Sequence, residues 1–426
     1  MPKRELFVSL AVASVASVLA WFRLDGRTRG VVWAEDGMFL QDRLEAGPLV
    51  SLVDPYEGYL HLVPRAIVEV AALVPLEDYA VAVTGLCCLT VGVVAGLVHA
   101  CSRDVVGSRA ARVVLGLVTV LVPTAAAELL GNTANLHWFL LWLTPWVLLC
   151  RPTSWRQGWA LGAVLLAVAL TEIQAVYFVP LLLVGIRDRR RVPMAVAMLA
   201  GLAAQLVTAL TVHRPDDEGT PSVPDLVQGY GLHVFLQMWR PATSGVGDVL
   251  VDHGWSLVVL ASAPFLVVLA ALVVGSRTRD RLLLTGTLLV GALAPYVVGM
   301  VLNFRSFLAF DGFALDTLAV FAPLRYAVVP AMFVLAAAVV VADRGPRVVR
   351  AAVLAGVLAL GLWHLDPGPT NRSRERGWSA EVAEAAAWCR DTGVAMVRIT
   401  TAPASWEVFL DCADVLDGPT RARVAP

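Results

Sequence analysis

The residues best suited to chemistry in this chain come in short polar clusters between long apolar runs. The first is Trp33-Ala-Glu-Asp-Gly-Met-Phe-Leu40, where Glu35 and Asp36 stand side by side. Two neighbouring carboxylates at a low-dielectric boundary can hold a divalent cation, Mg or Mn, or one can stay ionised as a general base while the other orients it. The same acids also suit the first turn of a helix, where they complement the backbone dipole. A second cluster, Pro55-Tyr-Glu-Gly-Tyr-Leu-His-Leu-Val-Pro-Arg65 followed by Ala-Ile-Val-Glu69, spaces His61, Arg65 and Glu69 at i, i+4 and i+8. That spacing makes one polar stripe on an otherwise apolar helix. Such a helix belongs in the membrane interface, its stripe snorkelling to the headgroups or facing a cavity. Arg65 has the chemistry for a phosphate, because a guanidinium binds two phosphate oxygens at once.

Three more clusters follow. Gly131-Asn-Thr-Ala-Asn-Leu-His-Trp138 brings Asn132, Asn135, His137 and Trp138 to the start of an apolar run. One Asn suffices to cap a helix. Two amides beside a His and an indole also suit a sugar's hydroxyls and its apolar face. Glu172, in Leu170-Thr-Glu-Ile-Gln174, interrupts apolar sequence, and an ionisable group there is a functional candidate. Phe321-Ala-Pro-Leu-Arg-Tyr-Ala-Val-Val-Pro330 places Arg325 and Tyr326 at the mouth of another apolar run. Arg325 calls for an anionic partner, either a lipid phosphate or Asp311 or Asp316.

The elements that must position these groups are membrane helices. The chain is 58% hydrophobic and 16% charged over 426 residues, too apolar for a soluble domain of that size. With a net charge of -1 nothing points to a general polyanion-binding surface, so nucleic acid is not an expected partner. Apolar stretches suited to crossing about 30 Å of hydrocarbon fall at residues 5–22, 79–100, 112–129, 137–150, 157–171, 173–186, 193–212, 255–275, 282–301, 324–341 and 348–365. The expectation is an all-α polytopic protein with about eleven transmembrane helices. No small-x-small cleavage site precedes Arg23, so the first run is expected to remain as a helix.

Basic residues fix the orientation, because Arg-rich short loops stay in the cytoplasm. Lys3 and Arg4, Arg103 to Arg112, Arg151 and Arg156, Arg187 to Arg191, Arg277 to Arg281, and Arg344 to Arg350 all fall on one side. The N-terminus is then cytoplasmic. The loops 23–78, 213–254 and 302–323 lie outside, as does the tail from 366 onward. Residues 1–365 are expected to form the membrane domain and 366–426 a linker followed by a small extracytoplasmic α+β appendage. In that appendage 379–390 reads as helix, and Val394 to Ile399 and Trp406 to Leu410 as strands. Its Cys389 and Cys412 can pair as a disulfide in an oxidising compartment, which would support so small a core. Cys87, Cys88, Cys101 and Cys150 lie in or beside spans and read as packing residues.

Glu35-Asp36, the stretch Tyr56 to Arg65, and Arg325-Tyr326 together resemble the glycosyltransferase C (GT-C) superfamily of membrane enzymes that use polyprenyl-phosphate-linked sugars. The order Glu-Asp differs from the Asp-Glu or Asp-Asp of many members. The resemblance implies an inverting hexosyl- or pentosyltransferase at the outer face of the plasma membrane, acting on a glycan, lipid or protein acceptor of the cell envelope. It implies Asp36 as the base, with Glu35 orienting it or holding a cation. Arg65 and Arg325, with His61 and Tyr326, would bind the donor phosphate, while Asn132, Asn135, His137, Trp138 and Glu172 would bind sugar or acceptor. Consistent with a lipid-linked donor, there is no G-x-G-x-x-G after a strand, no Walker sequence and no paired zinc-ligand motif. The rival reading is a lipid flippase or small-solute transporter, which would place its charges near the bilayer midplane.

Overall fold

The computed structural model describes residues 3–212, 219–240, 246–310, 325–366 and 368–417. Among these, six helical runs are long and apolar enough to cross a bilayer: Lys3–Phe22, Leu76–Asp104, Arg189–Thr211, Trp255–Val274, Arg279–Leu302 and Arg325–Arg344. The chain is a mostly helical, multi-pass membrane protein. The principal α-helices are, in chain order, α1 (Lys3–Phe22), α2 (Ala34–Ala46), α3 (Leu62–Ala71), α4 (Tyr79–Cys101), α5 (Arg109–Leu121), α6 (Leu136–Leu149) and α7 (Trp155–Ala169). Beyond them come α8 (Val192–Thr211), α9 (Trp255–Val274), α10 (Arg279–Leu302), α11 (Val328–Arg344), α12 (Arg347–Trp363) and α13 (Trp378–Thr392).

Two helices form the centre. Every residue of α6 is buried, and the run containing α11 is 89% buried, against 22% for α1 and for α9. Trp142 of α6 meets Phe333 of α11 edge to face, ring centroids 4.9 Å apart. The outer helices leave Phe7, Leu199, Val259 and Leu266 exposed, an apolar surface that lipid tails cover. Close helix contacts rest on small residues, as expected where lipid removes the hydrophobic driving force. A Cβ at Gly92 of α4 would lie 2.5 Å from the Ala13 carbonyl of α1, so only glycine lets these two backbones meet.

Five of the runs expected to span form shorter helices. The run at 112–129 breaks after α5, where Pro123 brings no N–H, and the buried Arg23 donates to the carbonyls of Val122 at 3.0 Å and Pro123 at 2.8 Å. Helix α6, at about 21 Å long, is surrounded by protein and so need not match the hydrocarbon thickness. The run at 173–186 is a 3-10 helix, Ile173–Leu183, containing Pro180. Helices α7 and α12 have 15 and 17 residues.

The arginine-rich ends meet at one face of the bundle. Arg109 and Arg112 pair with Glu5 at 2.6 and 3.0 Å, Asp343 accepts from the Gly107 and Ser108 amides at 2.8 and 3.0 Å, and Arg190 donates to Thr153 O at 3.2 Å. The candidate functional clusters lie at the other ends of these helices.

The tail differs from expectation in one respect. Its helix and strands form as read: α13 is followed by an antiparallel hairpin of β1 (Met396–Thr401) and β2 (Trp406–Asp411), with Thr401 opposite Trp406, and Cys389 is bonded to Cys412. The stretch read as a linker, however, is embedded. Arg372 is 2% exposed and donates to Gly131 O at 2.9 Å and Leu130 O at 2.5 Å, while Thr370 bonds Thr28 at 2.7 Å. A guanidinium buried beside loop carbonyls satisfies groups that a helix end leaves open, so the tail is tied to the membrane domain.

Candidate active site

A cavity of about 330 Å³ opens where α6, the 3-10 helix and α10 reach the face opposite the arginine-rich ends. Glu35, His61, Asn135, His137, Trp138, Glu172, Arg325 and Tyr326 all line it, although they come from five separate stretches of sequence. The volume lies at the small end of the usual range for ligand sites, about 300–1,000 Å³.

Glu35 and Asp36 open α2 as first-turn acids. Being about 100° apart around a helix, they face different surroundings. The Glu35 carboxylate faces the cavity, with Oε1 3.8 Å from Arg325 Nη1, while its buried Oε2 has no partner among the described residues. Asp36, expected as the base, turns away. It is 1% exposed, and its Oδ1 accepts from the Thr133 amide at 2.8 Å and hydroxyl at 2.6 Å. Burial pushes the Asp36 carboxyl up to about 7, against the lowering effect of those two hydrogen bonds. A base must first reach the proton it takes, and Asp36 does not reach the cavity. Glu35 is thus on the cavity wall and Asp36 is not. Among the described residues no group of three or more His, Cys, Asp and Glu side chains is arranged to hold a cation.

Arg65, expected at a phosphate, is also absent from the cavity. It is buried among Asp42 at 3.0 Å, Asp54 at 3.5 Å and the face of Phe39, 4.7 Å from the ring centroid. Glu69 pairs with Arg43 at 3.3 Å and accepts from Ser51 at 2.7 Å. The polar stripe of α3 therefore packs against α2 and its loop, where its charges are neutralised, rather than facing headgroups. Only His61, at the head of the stripe, reaches the cavity, and burial lowers its imidazole to about 3, which keeps it neutral.

The remaining walls come from helix starts. Asn132 closes the turn before α6 rather than capping the helix: its Oδ1 accepts from the Asn135 amide at 3.0 Å and side chain at 2.9 Å, while Asn135, the N-cap residue, makes no side-chain capping bond and enters the cavity that Asn132 stays out of. His137 Nδ1 pairs with Glu172 Oε2, and Glu172 Oε1 accepts from the Gln174 amide at 2.7 Å. Trp138 packs between His137 and Tyr326, at centroid distances of 4.4 and 5.9 Å. Its buried indole N–H has no partner among the described residues. No family model matches the chain, and no curated protein does. The chemistry of the site rests on its own geometry.

Arg325 is shared between two carboxylates, Glu35 and Glu128, the latter at 3.4 Å. Asp311 and Asp316, the other partners considered for it, lie outside the described residues. Glu128 is one of the residues the sequence reading missed, and its signal was available: an acid ending the apolar run at 112–129. Arg305, also on the cavity wall, carried the same signal as Arg325, an arginine on the arginine-poor side. Trp406 of the tail hairpin lines the cavity too, and nothing in its local sequence marks it.

Proposed function

We propose that the protein is a GT-C-like glycosyltransferase that moves a sugar from a polyprenyl-phosphate-linked donor to a cell-envelope acceptor at the outer face of the plasma membrane. The observation that carries this reading is the meeting, in one small cavity, of Glu35, whose Oε2 has no hydrogen-bond partner among the described residues, with Arg305, Arg325 and an aromatic, amide-lined wall. The positive-inside rule assigns the arginine-rich face to the cytoplasm, with the shorter helices counted as spans, and so the cavity to the exterior. Helix α10 brings Val298 and Leu302 to the cavity edge, an apolar approach suited to a lipid-borne substrate.

Glu35 takes the proton of an acceptor hydroxyl as its oxygen attacks the anomeric carbon. The bond from that carbon to the phosphate oxygen breaks, and the polyprenyl phosphate leaves with the electron pair. Arg325 and Arg305 stabilise the charge gained by the phosphate. For Arg325 this means exchanging one carboxylate partner for the incoming phosphate, which its one-third exposed side chain permits. A single displacement inverts the anomeric configuration. Trp138, Tyr326 and Asn135 offer the sugar stacking surfaces and an amide.

A flippase is less well supported, because the charged groups gather at one end of the bundle rather than near its midplane. The test is to supply purified protein with farnesyl-phosphate-linked sugars and alkyl glycosides. Release of farnesyl phosphate coupled to a glycoside product supports transfer. Intact donor with movement between vesicle leaflets would support the flippase.

A further inference from the structure

We infer that the disulfide-closed tail supplies an acceptor-binding residue, Trp406, and that the acceptor is a carbohydrate whose ring stacks on this indole. The inference rests on the glycosyltransferase reading and extends it to a substrate class. Trp406 is half-buried, lines the same cavity as Glu35 and opens β2 beside the start of α2.

The hairpin holds this position through the helix that carries the carboxylate. The Ala402 amide donates to Val32 O at 2.9 Å, and the Ala34 amide donates back to Ala402 O at 2.8 Å, so Ala402 brackets Trp33, the residue just before α2. One turn on, a Cβ at Gly37 would lie 2.8 Å from Thr401 Cγ2 and 2.9 Å from Val408 Cγ1; only glycine allows contact that close. A further turn along, the Phe409 amide donates to Gln41 Oε1 at 3.0 Å. Positions 34, 37 and 41 form one face of α2, which leaves Glu35 turned toward the cavity. Val31, Trp33, Ala34, Ala402 and Trp406 pack together as a separate apolar cluster.

The tail is closed on itself by the Cys389–Cys412 bond directly after β2 and anchored by the Trp378 indole, which donates to Leu76 O at 2.7 Å. Trp406 is thus held against the cluster containing Ala34, the residue before Glu35, on the side of the tail, whereas the guanidinium groups and the apolar approach belong to the helix ends. The acceptor hydroxyl must sit at the base, so the indole borders the acceptor rather than the lipid phosphate. A broad aromatic face with no charge of its own suits the C–H face of a pyranose or furanose ring.

Trp406→Ala and Trp406→Phe test this. Donors would be farnesyl-phosphate-linked glucose, mannose, galactose and arabinose; acceptors would be the matching octyl glycosides and a threonine-containing peptide. The Cys389–Cys412 bond and the melting temperature are checked in each variant. Trp406→Ala should raise KM for the octyl glycoside about tenfold, raise KM for the donor much less, and be largely rescued in Trp406→Phe. Equal glycoside KM in Trp406→Ala and the parent, with donor turnover intact, overturns the inference alone. Preferred transfer to the peptide, independent of Trp406, overturns it as well. Absence of any donor turnover in the parent protein overturns the glycosyltransferase reading itself, and the inference with it.

Discussion

Replacing Asp36 by Asn should flatten the dependence of stability on pH. In the folded protein burial raises the Asp36 carboxyl from an ordinary 3.8 to about 7. The folded state therefore holds the proton more tightly than the unfolded chain, and the group's contribution is fully present below pH 4 and lost as pH rises toward and through 7. A difference of about three pKa units at about 1.4 kcal/mol each gives a loss of roughly 4 kcal/mol across that window. Asn keeps an oxygen to accept from the Thr133 amide and hydroxyl but does not titrate. The amide adds a pH-independent offset of about 1–3 kcal/mol if its N–H groups stay unpaired, so the slope is the readout rather than the level. Thermal unfolding of detergent-purified protein between pH 5 and pH 8 measures it. The parent should lose stability over this range, and Asp36→Asn should lose about 3 kcal/mol less, the remainder of the effect lying below pH 5. Parallel slopes for the two proteins would show that Asp36 is ionised at low pH in the fold and that its enclosure by Thr133 is misread.

Other expectations follow from particular contacts. Gly299→Ala places a Cβ 2.8 Å from the Tyr326 ring, so Tyr326 must shift; donor kcat/KM should fall between about 10- and 100-fold, and unchanged kinetics would remove Tyr326 from the site. His137 and Glu172 should couple by about 1–3 kcal/mol in a double-mutant cycle with His137→Asn and Glu172→Gln, read by thermal unfolding. Additivity within about 0.5 kcal/mol would make the pair incidental. A cysteine at the exposed Asp391 should react with an impermeant thiol reagent in intact cells, and labelling only after lysis would reverse the orientation.

The long apolar runs and the tail hairpin were legible because their signals are local: run length for spans such as α8 and α10, and alternation for β1, whose Val397 and Ile399 are buried between exposed Met396 and Arg398. Breaks inside apolar runs were not, because hydropathy does not register Pro123 or the Arg23 side chain that closes α5 from 100 residues away. The site was legible as a set of clusters and illegible in its internal roles. Neighbouring acids on a helix look alike until the packing of that helix is known. The hairpin against Gly37 and Gln41 decides that Glu35, not Asp36, faces the cavity. Arg65 and Arg325 likewise carry the same chemistry in sequence; two aspartates and Phe39 enclose the first, while the second remains one-third open.

Turnover by Glu35→Gln, set beside that of Asp36→Asn, tests whether Glu35 is the base of a sugar-transfer reaction. Gln preserves size and removes basicity. With farnesyl-phosphate-linked donor and octyl glycoside acceptor, Glu35→Gln should lower kcat by about 100-fold or more while leaving the donor's KM near that of the parent. Asp36→Asn should retain turnover within a few-fold. If Glu35→Gln remains active and Asp36→Asn does not, the base is the buried carboxylate and the cavity geometry has been misassigned; if both keep full activity, this cavity is not where the sugar is transferred.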